Sequence, residues 1–249
     1  MTWELHLGDC IEGMRAMADK SVDVVCADPP YSERVHTRLG TEERYDGAPW
    51  RRALEFGYLT DSALADLAKQ YVRVTKRWIL LFCDEITLIR WKTALEANGA
   101  EYVRKGTWVK PSPMPQMSGD RPCAGTEEIM IAHAPREKGS GRMRWNGGGK
   151  SATYTVSHQE KGRKHPTQKP ISLMRQILED FTDPGDLILD SHAGSGTTGA
   201  ACIELGRRFV GWELDPKHHA TASKRLAEAS KQQPLFKVAT TQEQARLPL

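Results

Sequence analysis

Residues 187–214, "LILDSHAGSGTTGAACIELGRRFVGWEL", constrain the fold more than any other stretch of this chain. A short apolar run ends on Asp190, and a loop rich in glycine and hydroxyls follows it. Helical spacing then begins at Thr197, and a second apolar run ends on Glu213, 19 residues after Gly194. Gly194, Gly196 and Gly199 form a G-x-G-x-x-G between strand and helix. Glycines there permit a tight turn and close backbone approach, and an acid closing the next strand can bind two ribose hydroxyls. The glycine pattern alone is weak evidence; strand, loop, helix, strand and acid in that order point much more sharply to a nucleoside cofactor. The hydroxyls of Ser195, Thr197 and Thr198 also suit plain helix capping.

The rest of the chain supplies the remaining layers. "WELHL" alternates apolar and polar residues as a strand does, "CIEGMRAM" has helical spacing, and "SVDVVCA" is a β-rich apolar run. Asp61 suits the cap of a helix reaching about Thr75, "RWILLFC" reads as a buried strand, Ile86 to Asn98 as a helix, and "EYVRKGTWV" as another strand. "EEIMIAHA" is a further strand, "ISLMRQILEDF" an amphipathic helix, and a last helix starts at Pro216 and runs to about Lys231. Alternating strands and helices predict an α/β fold, doubly wound, with a mainly parallel sheet. A dinucleotide dehydrogenase would need more strand–helix units after Glu213, where one helix and a tail remain. The other strands must come from the N-terminal half, so the order of the fold is circularly permuted. S-adenosylmethionine offers a ribose for Glu213 without a pyrophosphate, and its amino-acid end would meet Asp190 and the loop.

"ADPPY", residues 27–31, closes the "VDVVCA" strand. In a parallel sheet Asp28 emerges at the carboxyl edge beside the glycine loop, where open α/β sheets bind ligands. Two prolines keep the turn extended and leave carbonyls that no helix consumes. Asp28 and the Pro29 carbonyl form a pair of acceptors matched to an exocyclic NH2 group, and Tyr31 offers a face for a planar base. An aromatic amine is a poor nucleophile, so fixed acceptors on its hydrogens act by positioning and electrostatics. A base in a duplex would have to flip out to reach such a pocket.

These residues resemble the amino-group DNA methyltransferases that modify adenine N6 or cytosine N4. "DPPY" resembles their catalytic motif, "DSHAGSGTT" (190–198) their S-adenosylmethionine motif, and "KHPTQKP" (164–170) the segment before the helix that leads to the cofactor loop. The order catalytic motif, variable region, cofactor motif is that of the β group. The resemblance implies a Rossmann-like methyltransferase fold in which Asp28, Pro29, Pro30 and Tyr31 are catalytic. It implies a cofactor site formed by Asp9, Cys10, Asp28, Thr167, Gln168, Lys169, Asp190, His192, Ala193, Gly194, Ser195, Gly196, Thr197 and Glu213, with no metal. Asp9 would lie near the adenine, Glu213 on the ribose, and Asp190 with the loop on the methionine end. Ser191-His192 replaces the Pro-Phe usual in the family, and a packing role suits His192 better than a catalytic one. The acid-first motif is more typical of adenine enzymes. Group members are often dimers, so a homodimer is an expectation of the resemblance alone.

Residues 110–169 hold 11 Lys and Arg against 5 Asp and Glu, while the rest of the chain has 24 against 27. That block is dense in Pro and Gly, which predicts an inserted basic target-recognition region for double-stranded DNA. It divides the chain into a catalytic half (1–109), the insertion (110–169), a cofactor half (170–231) and a tail (232–249). Trp145 or Met143 could wedge into a base stack or be local core, and Arg34, His36, Arg38, Arg51 and Arg52 could touch phosphates or merely solubilise. At 39% hydrophobic and 27% charged, with no apolar run of membrane length, the chain reads as cytoplasmic and independent of membranes. Five scattered cysteines without a Cys-x-x-Cys pair argue against disulfides and zinc. Any restriction nuclease would be a separate chain. The competing readings are a cytosine-N4 enzyme, an RNA or protein-amide methyltransferase, and an inactive DNA-binding relic.

Overall fold

The computed structural model describes residues 2–31, 59–113, 119, 120, 122–136, 139, 141–159 and 168–231. The loop after Tyr31 with its arginines, Thr167 with most of "KHPTQKP", and the tail lie outside the described residues. In chain order the elements are β1 (Trp3–Leu7), α1 (Cys10–Arg15), β2 (Val22–Ala27), α2 (Asp61–Val74), β3 (Thr75–Cys83), α3 (Glu85–Ala97), β4 (Glu101–Val109), β5 (Thr126–His133), β6 (Thr153–Thr155), α4 (Ile171–Phe181), β7 (Leu187–Asp190), α5 (Thr197–Glu204), β8 (Arg208–Glu213) and α6 (Pro216–Lys231).

The strands form one eight-stranded sheet in the order β1-β8-β7-β2-β3-β5-β4-β6. Neighbours from β1 through to β3 are parallel, β5 runs antiparallel to both β3 and β4, and β6 is parallel to β4. The mainly parallel, doubly wound α/β expectation therefore holds, with one reversed strand that the sequence does not announce. Two strands of the block read as an insertion, β5 and β6, belong to this sheet.

Both faces of the sheet are buried, which is why β2 is apolar on nearly every residue. Val24 and Cys26 face a core that includes Leu173, Ile177, Phe181, Ile203 and Leu226 from α4, α5 and α6. Val25 and Ala27 face the opposite core, with Met14, Leu67, Tyr71, Trp91 and Leu95 from α1, α2 and α3. Helices thus cover the two faces in three layers. Asp61 is the first residue of α2 rather than its cap: Thr60 caps it, accepting from Ala63 N at 3.2 Å. No helix among the described residues is long and apolar enough to cross a membrane.

Chain direction makes one place in this sheet special. From β2 the chain proceeds to β3 on one side, and from β7 it proceeds to β8 on the other, although β2 and β7 are neighbours. Their carboxyl ends flank the topological switch point, where an open α/β sheet leaves a crevice.

Candidate active site

Asp28 and Asp190 meet at that crevice. The β2–β7 ladder pairs Val25 with Leu189, so the chain leaves the sheet at Asp28 just beyond the end of β7 at Asp190. Asp190 is buried, and its Oδ1 accepts from His192 N at 3.0 Å. Burial pushes its carboxyl up to about 7; Thr198 and the His192 amide oppose that, while the charges of Asp28 and Glu213 add to it.

The glycine loop is shaped by what surrounds it. Gly194 and Gly196 have φ of 53° and 77°, the left-handed region that favours glycine. A Cβ on Gly196 would stand 3.0 Å from Ala222 Cβ, and one on Gly199 would stand 2.6 Å from Leu226 Cδ2. The second and third glycines are therefore what let α5 and α6 come together. Glu213 ties the loop down: Oε2 accepts from Gly194 N at 2.7 Å and Oε1 from Asp215 N at 2.9 Å. From α6, Arg225 donates to Thr197 Oγ1 at 2.8 Å. Sequence reasoning passes over Arg225, because a basic residue on a polar helix looks like any solvated charge.

Asp9 lies alongside, since β1 pairs with β8 through Leu7 and Glu213, and Gly8 N donates to Glu213 O at 3.0 Å. Asp9 caps α1 through Oδ1, which accepts from Ile11 N at 2.7 Å and Glu12 N at 3.0 Å. Burial, then the charge of Asp9, pushes the Cys10 thiol up to about 12, so it stays protonated. Ala193 donates its N–H to Trp212 O at 2.9 Å. Ser191 and His192 join the core: the Ser191 hydroxyl bonds Tyr71 OH, and His192 Nδ1 lies 2.8 Å from Ser191 Oγ. Burial lowers the His192 ring to about 4, which keeps it neutral at pH 7 and suits the packing role.

The acid-Pro-Pro-Tyr turn contains more than the sequence suggests. Tyr31 OH donates to Asp28 Oδ1 at 3.0 Å and also reaches Glu127 Oε1. Lys169 Nζ lies 2.7 Å from Asp28 Oδ2, 2.6 Å from Glu127 Oε1 and 3.2 Å from Tyr31 OH. Lys110 Nζ closes the group, 2.9 Å from Glu127 Oε2. Two acids, two bases and a phenol thus form a balanced, largely buried cluster. Burial raises the Asp28 pKa against the pull of Lys169. For Glu127 burial acts upward too, but Lys169 and Lys110 outweigh it and hold the carboxyl at about 2. The structure gives the Lys169 ammonium to Asp28 of the turn and to Glu127 of β5; Gln168 beside it is buried.

Glu127 is absent from the residues that the sequence singles out. A signal exists in "TEEIMIAH": adjacent acids open a buried strand, so they must point to opposite faces. Glu128 pairs with Lys105 at 3.0 Å, while Glu127 turns to the cluster around Lys169. Trp145 is no wedge at this edge. Its ring packs edge-on against Phe181 at 4.8 Å, and its N–H donates to Gly148 O at 2.8 Å. Met143 likewise packs against the core.

A permuted doubly wound sheet, with an acid-Pro-Pro-Tyr turn and a glycine loop facing each other across its switch point, defines the class of amino-group methyltransferases. Within that class the chain belongs to the N6/N4 DNA methylase family, whose sequence profile matches residues 22–224. It is similar to the Type II methyltransferase M2.DpnII of Streptococcus pneumoniae, 28% identical over 240 residues that span 88% of this chain and 87% of that protein. The Type II methyltransferase M.HinfI of Haemophilus influenzae is 25% identical over 246 residues, covering 89% and 67%. Among solved structures, the M1.HpyAVI–SAM complex matches with a TM-score of 0.68 at 23% identity, covering 90% of this chain and 98% of that one. The cytosine-N4-specific PvuII DNA methyltransferase matches with 0.67 at 15% identity, covering 98% and 90%. At those identities the likeness speaks to the fold.

Proposed function

We propose that this N6/N4 DNA methyltransferase transfers a methyl group from S-adenosylmethionine to adenine N6 of a base flipped out of double-stranded DNA. The observation that carries the reading is the closeness of Asp28 and Asp190 across the switch point, with Tyr31 hydrogen-bonded to Asp28 beside them. The acid-first form of the motif favours adenine.

The residues present fit the cofactor. Gly194 and Gly196 bring bare backbone to the crevice, Glu213 stands at the end of β8 for a ribose, and buried Asp190 is an acceptor for a cationic amino-acid end. Asp9 lies next to Glu213 on the adenine side, and Gln168 and the loop from His192 to Thr197 complete the surround. When bound, S-adenosylmethionine would supply methyl as a sulfonium, so transfer would form an N–CH3 bond, break the S–CH3 bond to leave a neutral thioether, and release one amino proton from nitrogen to solvent after transfer. Asp28 and the Pro29 carbonyl accept the two amino hydrogens and orient the nitrogen lone pair. Their negative ends face the nitrogen as it becomes cationic, which lowers the barrier by preorganised electrostatics. Tyr31 contributes a ring face, with its hydroxyl in reach of both Asp28 and Glu127.

The decisive experiment is mass spectrometry of nucleosides from duplex DNA treated with the purified protein. N6-methyladenine is the expected product; N4-methylcytosine alone would refute the adenine assignment. Asp28→Ala should abolish transfer while S-adenosylmethionine still binds, and transfer at the wild-type rate would remove Asp28 from the mechanism.

A further inference from the structure

The arrangement around Asp28 poses a conflict. Its two oxygens already accept, Oδ1 from Tyr31 OH at 3.0 Å and Oδ2 from the Lys169 ammonium at 2.7 Å. A target amino group needs one of them. Sharing Oδ2 with the ammonium would place a full positive charge beside a nitrogen that itself becomes positive in the transition state. The two donors have somewhere else to go, because Glu127 Oε1 is 2.6 Å from Lys169 Nζ and also reaches the Tyr31 hydroxyl. That hydroxyl has one proton between two acids, so it serves one of them at a time. The Lys169 ammonium lies over the rings of Phe82 and Tyr31, 4.8 and 5.5 Å from their centroids, where a short pivot keeps it in favourable contact.

We propose that Lys169 is a built-in competitor for the target amino group at Asp28, and that Glu127 is the positioning residue that draws the ammonium aside when the base arrives. The inference rests on the reading of Asp28 as the amino-group acceptor. Lys110, 2.9 Å from Glu127 Oε2, keeps Glu127 ionised and fixed without competing for Oε1. The competitor blocks Asp28 against stray donors and yields to a base that also stacks on Tyr31, so the pair acts as a check on occupancy. Lys169 is not the proton acceptor of the reaction: despite its burial, Asp28 and Glu127 hold it protonated.

Single-turnover methyl transfer, S-adenosylmethionine affinity and thermal unfolding of three variants test this. Glu127→Gln leaves Asp28 as the acid that holds Lys169 in the cluster, so transfer should fall roughly tenfold or more, within the range of coupled buried pairs, with cofactor affinity held to about twofold. Adding Lys169→Met removes the competitor and should restore roughly tenfold of the loss, a rescue that a merely structural role for Glu127 cannot produce. The double variant also removes one acid and one base together, so the charge balance of the cluster is kept by Asp28 and Lys110. A double variant no faster than Glu127→Gln, or a Glu127→Gln protein as fast as wild type, overturns the proposal. Asp28→Ala assayed in parallel separates the two ideas. Retained transfer there overturns the reading of Asp28 and this proposal together; abolished transfer there, with no rescue in the double variant, overturns this proposal alone.

Discussion

Asp190 is held near 7 by burial and by the neighbouring charges of Asp28 and Glu213, so around neutral pH it is part protonated. The group takes up a proton more readily folded than unfolded. Its contribution to stability is therefore fully present below about pH 4 and is lost as pH rises through about 7. In the proposed site a cationic amino-acid end beside it favours the ionised form, so S-adenosylmethionine binding below pH 7 should expel that proton. Affinity should fall as pH drops from about 8 to about 6, and calorimetry in buffers of different ionisation heat should count about one proton released near pH 6. His192 does not confuse the window, since burial keeps its ring neutral down to about 4. Asp190→Asn should flatten the profile; a flat profile in the wild type would take Asp190 away from the cofactor.

At the scale of elements, α5 shows why a glycine pattern is a packing statement as well as a binding one. Gly199 faces α6 and β8, and a Cβ there would lie 2.6 Å from Leu226 Cδ2 and 2.9 Å from Phe209 Cε1. Gly199→Ala should cost about 1–3 kcal/mol as an overpacked core does. Differential scanning calorimetry would register this as a lower Tm, about 2–4 °C per kcal/mol in a domain of this size. An unchanged Tm would mean that the two helices part freely. The elements of this half are legible in the sequence because their apolar periods are unbroken and their turns carry glycine. Less is legible across 110–159. β6 is three residues, "TYT", whose strand state comes from pairing with Thr107–Val109 and from Tyr154 bonding Asp180 Oδ2 at 2.9 Å, and no local pattern encodes either. The reversal at β5 is equally silent, since side-chain alternation is the same in either direction. The acid-Pro-Pro-Tyr turn is visible residue by residue, whereas its partners Glu127 and Lys110 come from segments remote in sequence.

For the molecule as a whole, the surplus of positive charge in 110–169 has to be reweighed by where its described residues sit. Lys110 and Lys169 are engaged by Glu127 and Asp28 inside the cluster at the switch point. Arg144 pairs with Asp183 at 3.0 Å and Lys150 with Asp180 at 2.6 Å, and Asn146 Nδ2 donates to Thr182 O at 2.9 Å. Those partners end α4 and lead into β7, at the amino edge of the parallel strands, where Arg77 also meets Asp183 and Asp186. The crevice with Asp28 and Asp190 opens at the opposite edge. "RMRWN" is thus a strap across the back of the fold, and a basic composition there says nothing about a polyanion at the front. A duplex engaged at the front edge, as proposed, would lie across the sheet from Arg144, whose side chain is 66% exposed. Arg144→Ala should therefore leave methyl transfer intact and cost no more than about 1 kcal/mol of stability, the worth of an exposed ion pair. The sharper measurement is DNA affinity against salt. Removing one phosphate-binding cation makes the slope of log K on log salt shallower by roughly 0.9. The Arg144→Ala slope should coincide with that of the wild type, and a slope shallower by about one unit would move the DNA path around to the back of the sheet.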